Sequence, residues 1–247
     1  MIKTNSCVLQ FADVAKRFGH QEVLQQIDLE LRAGEFLGLV GVNGAGKTTL
    51  IKCLLDFAEP DAGQISIFGV SHRQPEARRN MAFLPERFVP PYFLTGADFL
   101  RYMARFYGHA FDPVMAAETV SGLDMDPAAL VKPVRNLSKG MAQKLGLAAA
   151  LLSGKDLLVL DEPMSGLDPK ARALFKRRLL AMKVLGRSLF FSTHMLPDVQ
   201  DLCDRMAVLH EGRLRFVGSP AEFCAHFGTE DLEEAYLRCV APSAAAA

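Results

Sequence analysis

The sequence has no net charge: Lys plus Arg and Asp plus Glu both total 28 in 247 residues. No long basic stripe runs along it, which argues against a nucleic-acid backbone as the main partner. It also lacks a C-x-x-C pair. The five cysteines, Cys7, Cys53, Cys203, Cys224 and Cys239, are scattered and odd in number. Neither a disulfide framework nor a zinc site is expected from them, and a reducing cytoplasm fits best. Nowhere are there eighteen consecutive apolar residues, so no segment is expected to span a bilayer. Asp13, Glu22 and Asp28 interrupt the apolar positions near the start, so no signal peptide is expected either. Any membrane role would therefore run through a partner. No repeat of the whole unit is visible.

What is present is a chain long enough for one domain with its own core. Ser6 to Phe11 and Val23 to Leu31 read as short strands with a turn at Gly19-His20. Glu35 to Val40 is an apolar run suited to a buried strand, and Lys47 to Leu55 reads as a helix. Further strand-like runs at Leu157 to Leu160, Ser188 to Ser192 and Met206 to Leu209 alternate with helical stretches such as Pro169 to Met182. That alternation argues for a mostly parallel sheet covered on both faces. Ala97 to Tyr107 places Leu100, Met103, Ala104 and Tyr107 on one helical face, and helical patterning continues to Leu152. The expected organisation is an α/β core from 1–87 and 154–226, with a helical subdomain inserted at 88–153. Arg213 to Val217 completes a hairpin, 227–240 forms a C-terminal helix, and 241–247 reads as a disordered tail.

Gly41-Val-Asn-Gly-Ala-Gly-Lys-Thr48 satisfies G-x-x-x-x-G-K-[ST] between a buried strand and a helix, the context that pattern requires. Glycines let successive N–H groups turn toward phosphate, and the helix N-terminus adds its positive dipole end. Gly41, Asn43, Gly44, Ala45, Gly46, Lys47, Thr48 and Thr49 are thus the expected contacts of ATP. Lys47 would reach the β and γ phosphates and the Thr48 hydroxyl would ligate Mg²⁺. Leu157 to Glu162 then ends an apolar strand in two carboxylates, which are costly to bury without a function. Asp161 is expected to hold Mg²⁺ through water. Glu162 is expected to orient the attacking water or accept its proton.

Asn136 to Met141 precedes a helix-forming run from Ala142 to Leu152, and locally Ser138 reads as a helix cap. Its position also resembles the signature motif of the ATP-binding-cassette (ABC) family, usually Leu-Ser-Gly-Gly-Gln. The resemblance covers nearly the whole chain in the family's motif order. Phe18 stands where an aromatic residue stacks on adenine, although an aromatic near a strand end can equally fill a core. Gly41 to Thr48 is the phosphate loop, Glu86 holds the Q-loop position, and Ser138 to Met141 is the signature. Asp161-Glu162 closes the second Walker motif, Ser165-Gly-Leu-Asp168 is the D-loop, and His194 is the switch histidine.

This resemblance implies an α/β P-loop NTPase with a RecA-like core, an antiparallel β subdomain and an inserted helical subdomain. It also implies ATP hydrolysis coupled to transport. Two copies, or one copy and a related ATPase, would pack head to tail, with Ser138 and Gly140 gripping the γ-phosphate held by the other copy. Asp168 would reach across that interface and His194 would sense the γ-phosphate and water. An integral membrane permease would be the partner, placing the chain on the cytoplasmic face of the inner or plasma membrane. No nucleic acid is expected.

Two positions depart from the family pattern. Glu86 replaces the usual glutamine, keeping an oxygen ligand near Mg²⁺ while adding charge. Lys139 and Met141 replace a glycine and the glutamine of the signature, but Ser138 and Gly140 remain. Leu-Pro-Glu86 with Leu-Ser-Lys-Gly-Met141 looks like the branch serving ABC-2 type exporters. Arg87 to Leu94, rich in aromatics and proline, reads either as a groove for a helix of the membrane subunit or as ordinary packing. The competing readings are an importer ATPase, a soluble ABC ATPase acting on ribosomes or DNA, and a P-loop kinase. The kinase reading leaves the signature, D-loop and His194 unexplained.

Overall fold

The computed structural model describes residues 6–241, so the expected tail lies outside the described residues except for Ala241. In chain order the elements are β1 (Cys7–Phe18), β2 (Gln21–Arg32), β3 (Phe36–Val40), α1 (Lys47–Leu54), β4 (Ala62–Ile67), β5 (Val70–Ser71) and β6 (Met81–Leu84). There follow α2 (Gly96–Tyr107), α3 (Pro113–Ser121), α4 (Lys139–Leu151), β7 (Leu157–Asp161), α5 (Pro169–Val184) and β8 (Ser188–Thr193). The chain closes with α6 (Leu196–Leu202), β9 (Arg205–His210), β10 (Arg213–Gly218), α7 (Pro220–Phe227) and α8 (Leu232–Val240). These elements gather into two compact units, one holding the residues up to Arg79 and from Ser188 onward, the other Asn80–Arg187.

In the first unit, β2, β1, β4 and β5 form an antiparallel sheet in that order. The β1–β2 hairpin turns at Gly19-His20, where Phe18 pairs with Gln21. β1 runs well past the Phe11 limit suggested by its apolar alternation. Asp13, at φ 50, absorbs an irregularity in the ladder and lets pairing resume at Val14. Gly63 faces that irregularity with φ +81, and a Cβ there would lie 2.2 Å from the Asp13 carbonyl oxygen, so only glycine fits.

β3 lies between β8 and β9 and runs parallel to both, while β10 pairs antiparallel with β9. All five β3 residues are buried, as a parallel strand covered on both faces requires. The terminal helices cover one end of this layer. Val40 of β3 packs in one apolar cluster with Val199 of α6, Val208 of β9, Phe223 of α7 and Ala235 of α8. α7 is started by a reciprocal Ser219–Glu222 capping box.

In the second unit, β6 and β7 pair in parallel, with Met81 opposite Leu157 and Leu84 opposite Leu160. α2 begins at Thr95, whose side chain accepts from the Asp98 N–H, and ends at Gly108 with φ 87. It buries Phe99, Leu100 and Ala104. α4 approaches β6 closely at Gly146. A Cβ there would meet Phe88 at 2.7 Å and Leu84 at 2.8 Å. That closeness is set by the missing side chain.

Candidate nucleotide site

β3 ends at Val40, and six residues carry the chain to α1. The Gly41 N–H still donates to the Thr193 carbonyl at 3.4 Å, extending the β3–β8 pairing into the start of the loop. Gly44 and Gly46 then adopt φ 86 and 111, which side-chain-bearing residues rarely visit. A Cβ on Gly41 would stand 2.5 Å from the Leu209 carbonyl oxygen, and one on Gly46 2.9 Å from the Val23 carbonyl oxygen. The glycines therefore set both the turn and its tight seating.

Gly46 caps α1 without a side-chain acceptor, so the first-turn N–H groups gain nothing from the cap and remain suited to an anion. Lys47 is only 6% exposed, and its Nζ donates to the Gly41 carbonyl at 2.6 Å and the Val42 carbonyl at 3.3 Å. The ammonium is thereby held inside the loop. Asn43 and Gly44 are exposed, Ala45 is buried, and Thr48 and Thr49 are half-buried at the helix start. Gly46→Ala is expected to destabilise this unit by about 2 kcal/mol, because the left-handed backbone costs a residue with Cβ ~1–3 kcal/mol. Urea unfolding of the two proteins checks this.

His194 follows β8 directly and is exposed, while the turn beside it is fixed by the Met195 N–H donating to Thr193 Oγ1 at 3.0 Å. Phe18, at the end of β1, is 53% exposed with the Lys16 ammonium 5.3 Å from its ring centroid. It does not fill a core. Its ring is open to solvent on one side and carries the Lys16 ammonium on the other.

The acidic residues belong to the second unit. Asp161 is the last residue of β7 and Glu162 follows it, at 3% and 7% exposure. Simple strand alternation does not describe Glu162, which has left the strand with φ 45. A strained backbone at a buried carboxylate is a feature that clusters at functional sites. The turn after it is closed by the Ser165 N–H donating to the Glu162 carbonyl at 3.1 Å. Glu86 lies exposed just beyond β6.

Ser138 satisfies the cap reading outright: its Oγ accepts from the Met141 N–H at 3.2 Å and starts α4. Capping leaves it at an exposed helix tip beside the half-buried Gly140. Two residues that the sequence reading passed over tie this helix to the acidic turn. Gln143 Nε2 donates to the Pro163 carbonyl at 3.1 Å. Lys144 Nζ donates to the Asp124 carbonyl at 2.9 Å and stands 3.6 Å from Asp168 Oδ2. Both are polar side chains buried within a helix otherwise rich in Leu and Ala, and that contrast is the clue in the sequence.

Asp168 caps α5, and its carboxyl lies below the ordinary value of 3.8, first through the Ala171 N–H and then through Lys144. The native state thus holds the charged form more tightly than the unfolded chain does. The resulting stabilisation is full above the ordinary carboxylate range and is lost as pH falls through the lowered native value. Asp168→Asn should therefore show a flatter acid limb in a plot of unfolding midpoint against pH.

A glycine loop of this shape between a buried parallel strand and a helix defines a P-loop NTPase. The chain belongs to the ABC transporter family, whose profile matches residues 24–165. It is the ATP-binding, ATP-hydrolysing subunit of such a transporter. The Nod factor export ATP-binding protein I of Burkholderia orbicola (strain AU 1054) is 38% identical over 217 residues, covering 86% of this chain and 71% of the relative. A solved ATP-binding subunit of an ABC transporter is 31% identical with a TM-score of 0.85, covering 94% of this chain and 99% of that one. A bacterial Atm1-family ABC exporter solved with ATP bound shares the fold at a TM-score of 0.80 and 24% identity, over 99% of this chain and 43% of that one. The reading as a soluble ATPase of ribosomes or DNA is not favoured. ATPase subunits of this family dimerise and pair with membrane components.

Proposed function

We propose that the chain drives an ABC-2 type exporter by ATP-dependent head-to-tail closure of two copies. One observation carries the reading: a helix N-terminus left open by its glycine cap, with a buried lysine folded into the loop before it. Gly41, Asn43, Gly44, Ala45, Gly46, Lys47, Thr48 and Thr49 hold the phosphates, and Phe18 offers its exposed ring to adenine. Ser138 and Gly140 grip the γ-phosphate of the opposite copy, near which Asp168 also acts. The exporter assignment is supported by the printed function of the Burkholderia relative.

Mg²⁺ takes one or two protein oxygens alongside phosphate and water. The hard oxygens of Thr48 and Asp161, the latter a buried carboxylate at a strand end, fit that demand, with Glu86 as a further oxygen. When bound, Mg²⁺ neutralises charge developing on the phosphates. Glu162 orients the attacking water and takes its proton, and His194 contacts the γ-phosphate and that water.

Among the described residues no helix is long and apolar enough to cross a membrane. Coupling therefore needs a docking surface for the permease, which would hold the chain at the cytoplasmic face of the membrane. The aromatic segment after Glu86 divides by exposure. Phe88 packs on Phe99 at 5.6 Å and against α4, so it is half-buried and anchors the segment while forming part of the groove wall. Tyr92 and Phe93 are 68% and 71% exposed, and Tyr92 lines a groove of about 690 Å³ with Glu86, Leu137 and Lys139. This outward part is proposed to receive a cytoplasmic helix of the permease. Tyr92→Glu should abolish transport in membrane vesicles while basal hydrolysis by the isolated subunit stays within about twofold, as surface changes of this kind cost little. Retained transport would remove the groove from the coupling path.

A further inference from the structure

A second cavity lies within the Asn80–Arg187 unit, away from every residue given a part in nucleotide handling. It encloses about 410 Å³ between the C-terminal half of α2, the start of α3 and the C-terminal end of α4. That is within the ~300–1,000 Å³ usual for small-molecule sites. Leu100, Met103, Phe111, Met115 and Leu152 make most of its wall apolar. The two methionines give it an adaptable lining that accepts varied apolar shapes. Phe111 is braced from outside the cavity's apolar set by the Arg101 guanidinium, 4.9 Å from its ring centroid.

Two formally charged groups stand at the wall, the Asp112 carboxylate and the Lys155 ammonium. Asp112 is already engaged, its Oδ1 accepting from the Val114 and Met115 N–H groups at the start of α3. His109 Nδ1 lies 3.0 Å from the Ala110 carbonyl. Lys155, by contrast, stands beside the cavity with its Nζ donating to the Tyr107 carbonyl at 2.9 Å and lying 5.7 Å from the Tyr107 ring centroid. An ammonium has three donors, and no carboxylate among the described residues pairs with this one. An apolar hollow with a single cation at its wall is complementary to an apolar body bearing one anionic group.

We propose that this cavity binds a small amphipathic carboxylate, a medium-chain fatty acid or aryl carboxylate, with its apolar part among the α2, α3 and α4 side chains and its carboxylate on Lys155. The site is separate from the ATP-binding residues and owes nothing to the transport reading.

The test uses the full chain and two probes of similar shape, anionic 1-anilinonaphthalene-8-sulfonate and neutral N-phenyl-1-naphthylamine. Both should gain fluorescence, and decanoate should displace both. Lys155→Met should weaken binding of the anionic probe and of decanoate by about tenfold or more, the worth of one charge-assisted hydrogen bond, with the neutral probe little changed. Met115→Trp, at a half-exposed position on the wall where bulk can be added without disturbing the core, should block both probes. ATP binding by each variant verifies the fold. Failure of decanoate to displace either probe from wild type, or equal weakening of both probes by Lys155→Met, would overturn the proposal.

Discussion

Glu162→Gln should bind ATP as wild type does yet hydrolyse it roughly 10²- to 10⁴-fold more slowly, the usual worth of a positioned general base. The amide matches the carboxylate in size, so the buried site at the end of β7 and its left-handed backbone are kept. Only the capacity to accept a proton disappears. With the γ-phosphate retained, the bound state persists, and the variant should sediment as a dimer in Mg-ATP and as a monomer without it. Phosphate release and sedimentation velocity on one preparation separate the two claims. Near-normal release would remove Glu162 as the base, whereas slow release from a strict monomer with ATP bound would remove the clamp between copies.

Lys47→Ala should weaken ATP binding on the order of a hundredfold, as expected for losing a charge-assisted contact to phosphate. The buried ammonium has two roles. Its bonds to the Gly41 and Val42 carbonyls hold the loop, and its charge faces the triphosphate in the proposed complex. Lys47→Met also loses both, since the ammonium makes the loop bonds as well as carrying the charge, but it keeps the apolar stem, so its difference from Lys47→Ala reports the packing of that stem alone. Both variants should lose the rise in melting temperature that ATP gives wild type, since stabilisation by a ligand follows its affinity. An unchanged shift would take Lys47 out of phosphate binding.

The exposed and buried halves of the aromatic segment show where sequence reading stops. Phe88 and Tyr92 look alike in the sequence, four positions apart among prolines, and neither shows which will point inward. Phe88 is claimed by the gap that Gly146 leaves on α4, a residue distant along the chain. Tyr92 has no such vacancy and stays in solvent. The same holds for Lys144, whose partners Asp124 and Asp168 flank it at a distance on either side in sequence. The Leu- and Ala-rich helix around it marks Lys144 as unusual, but nothing local names the two carboxyl-bearing turns that bury it.

The phosphate loop was legible because its chemistry is local: consecutive residues determine it, and each glycine answers a requirement of its own backbone position. The α/β class was legible for a similar reason, since apolar runs the length of buried strands alternate with helical periodicity, and such runs are stable only when both faces are covered. Tertiary packing alone decided how far β1 continues past Asp13, that Glu162 leaves its strand in a left-handed turn, and that Phe18 stays exposed beside the Lys16 ammonium. Those outcomes depend on which distant groups compete for the same space, and a competition between distant groups leaves no trace in the spacing of neighbours.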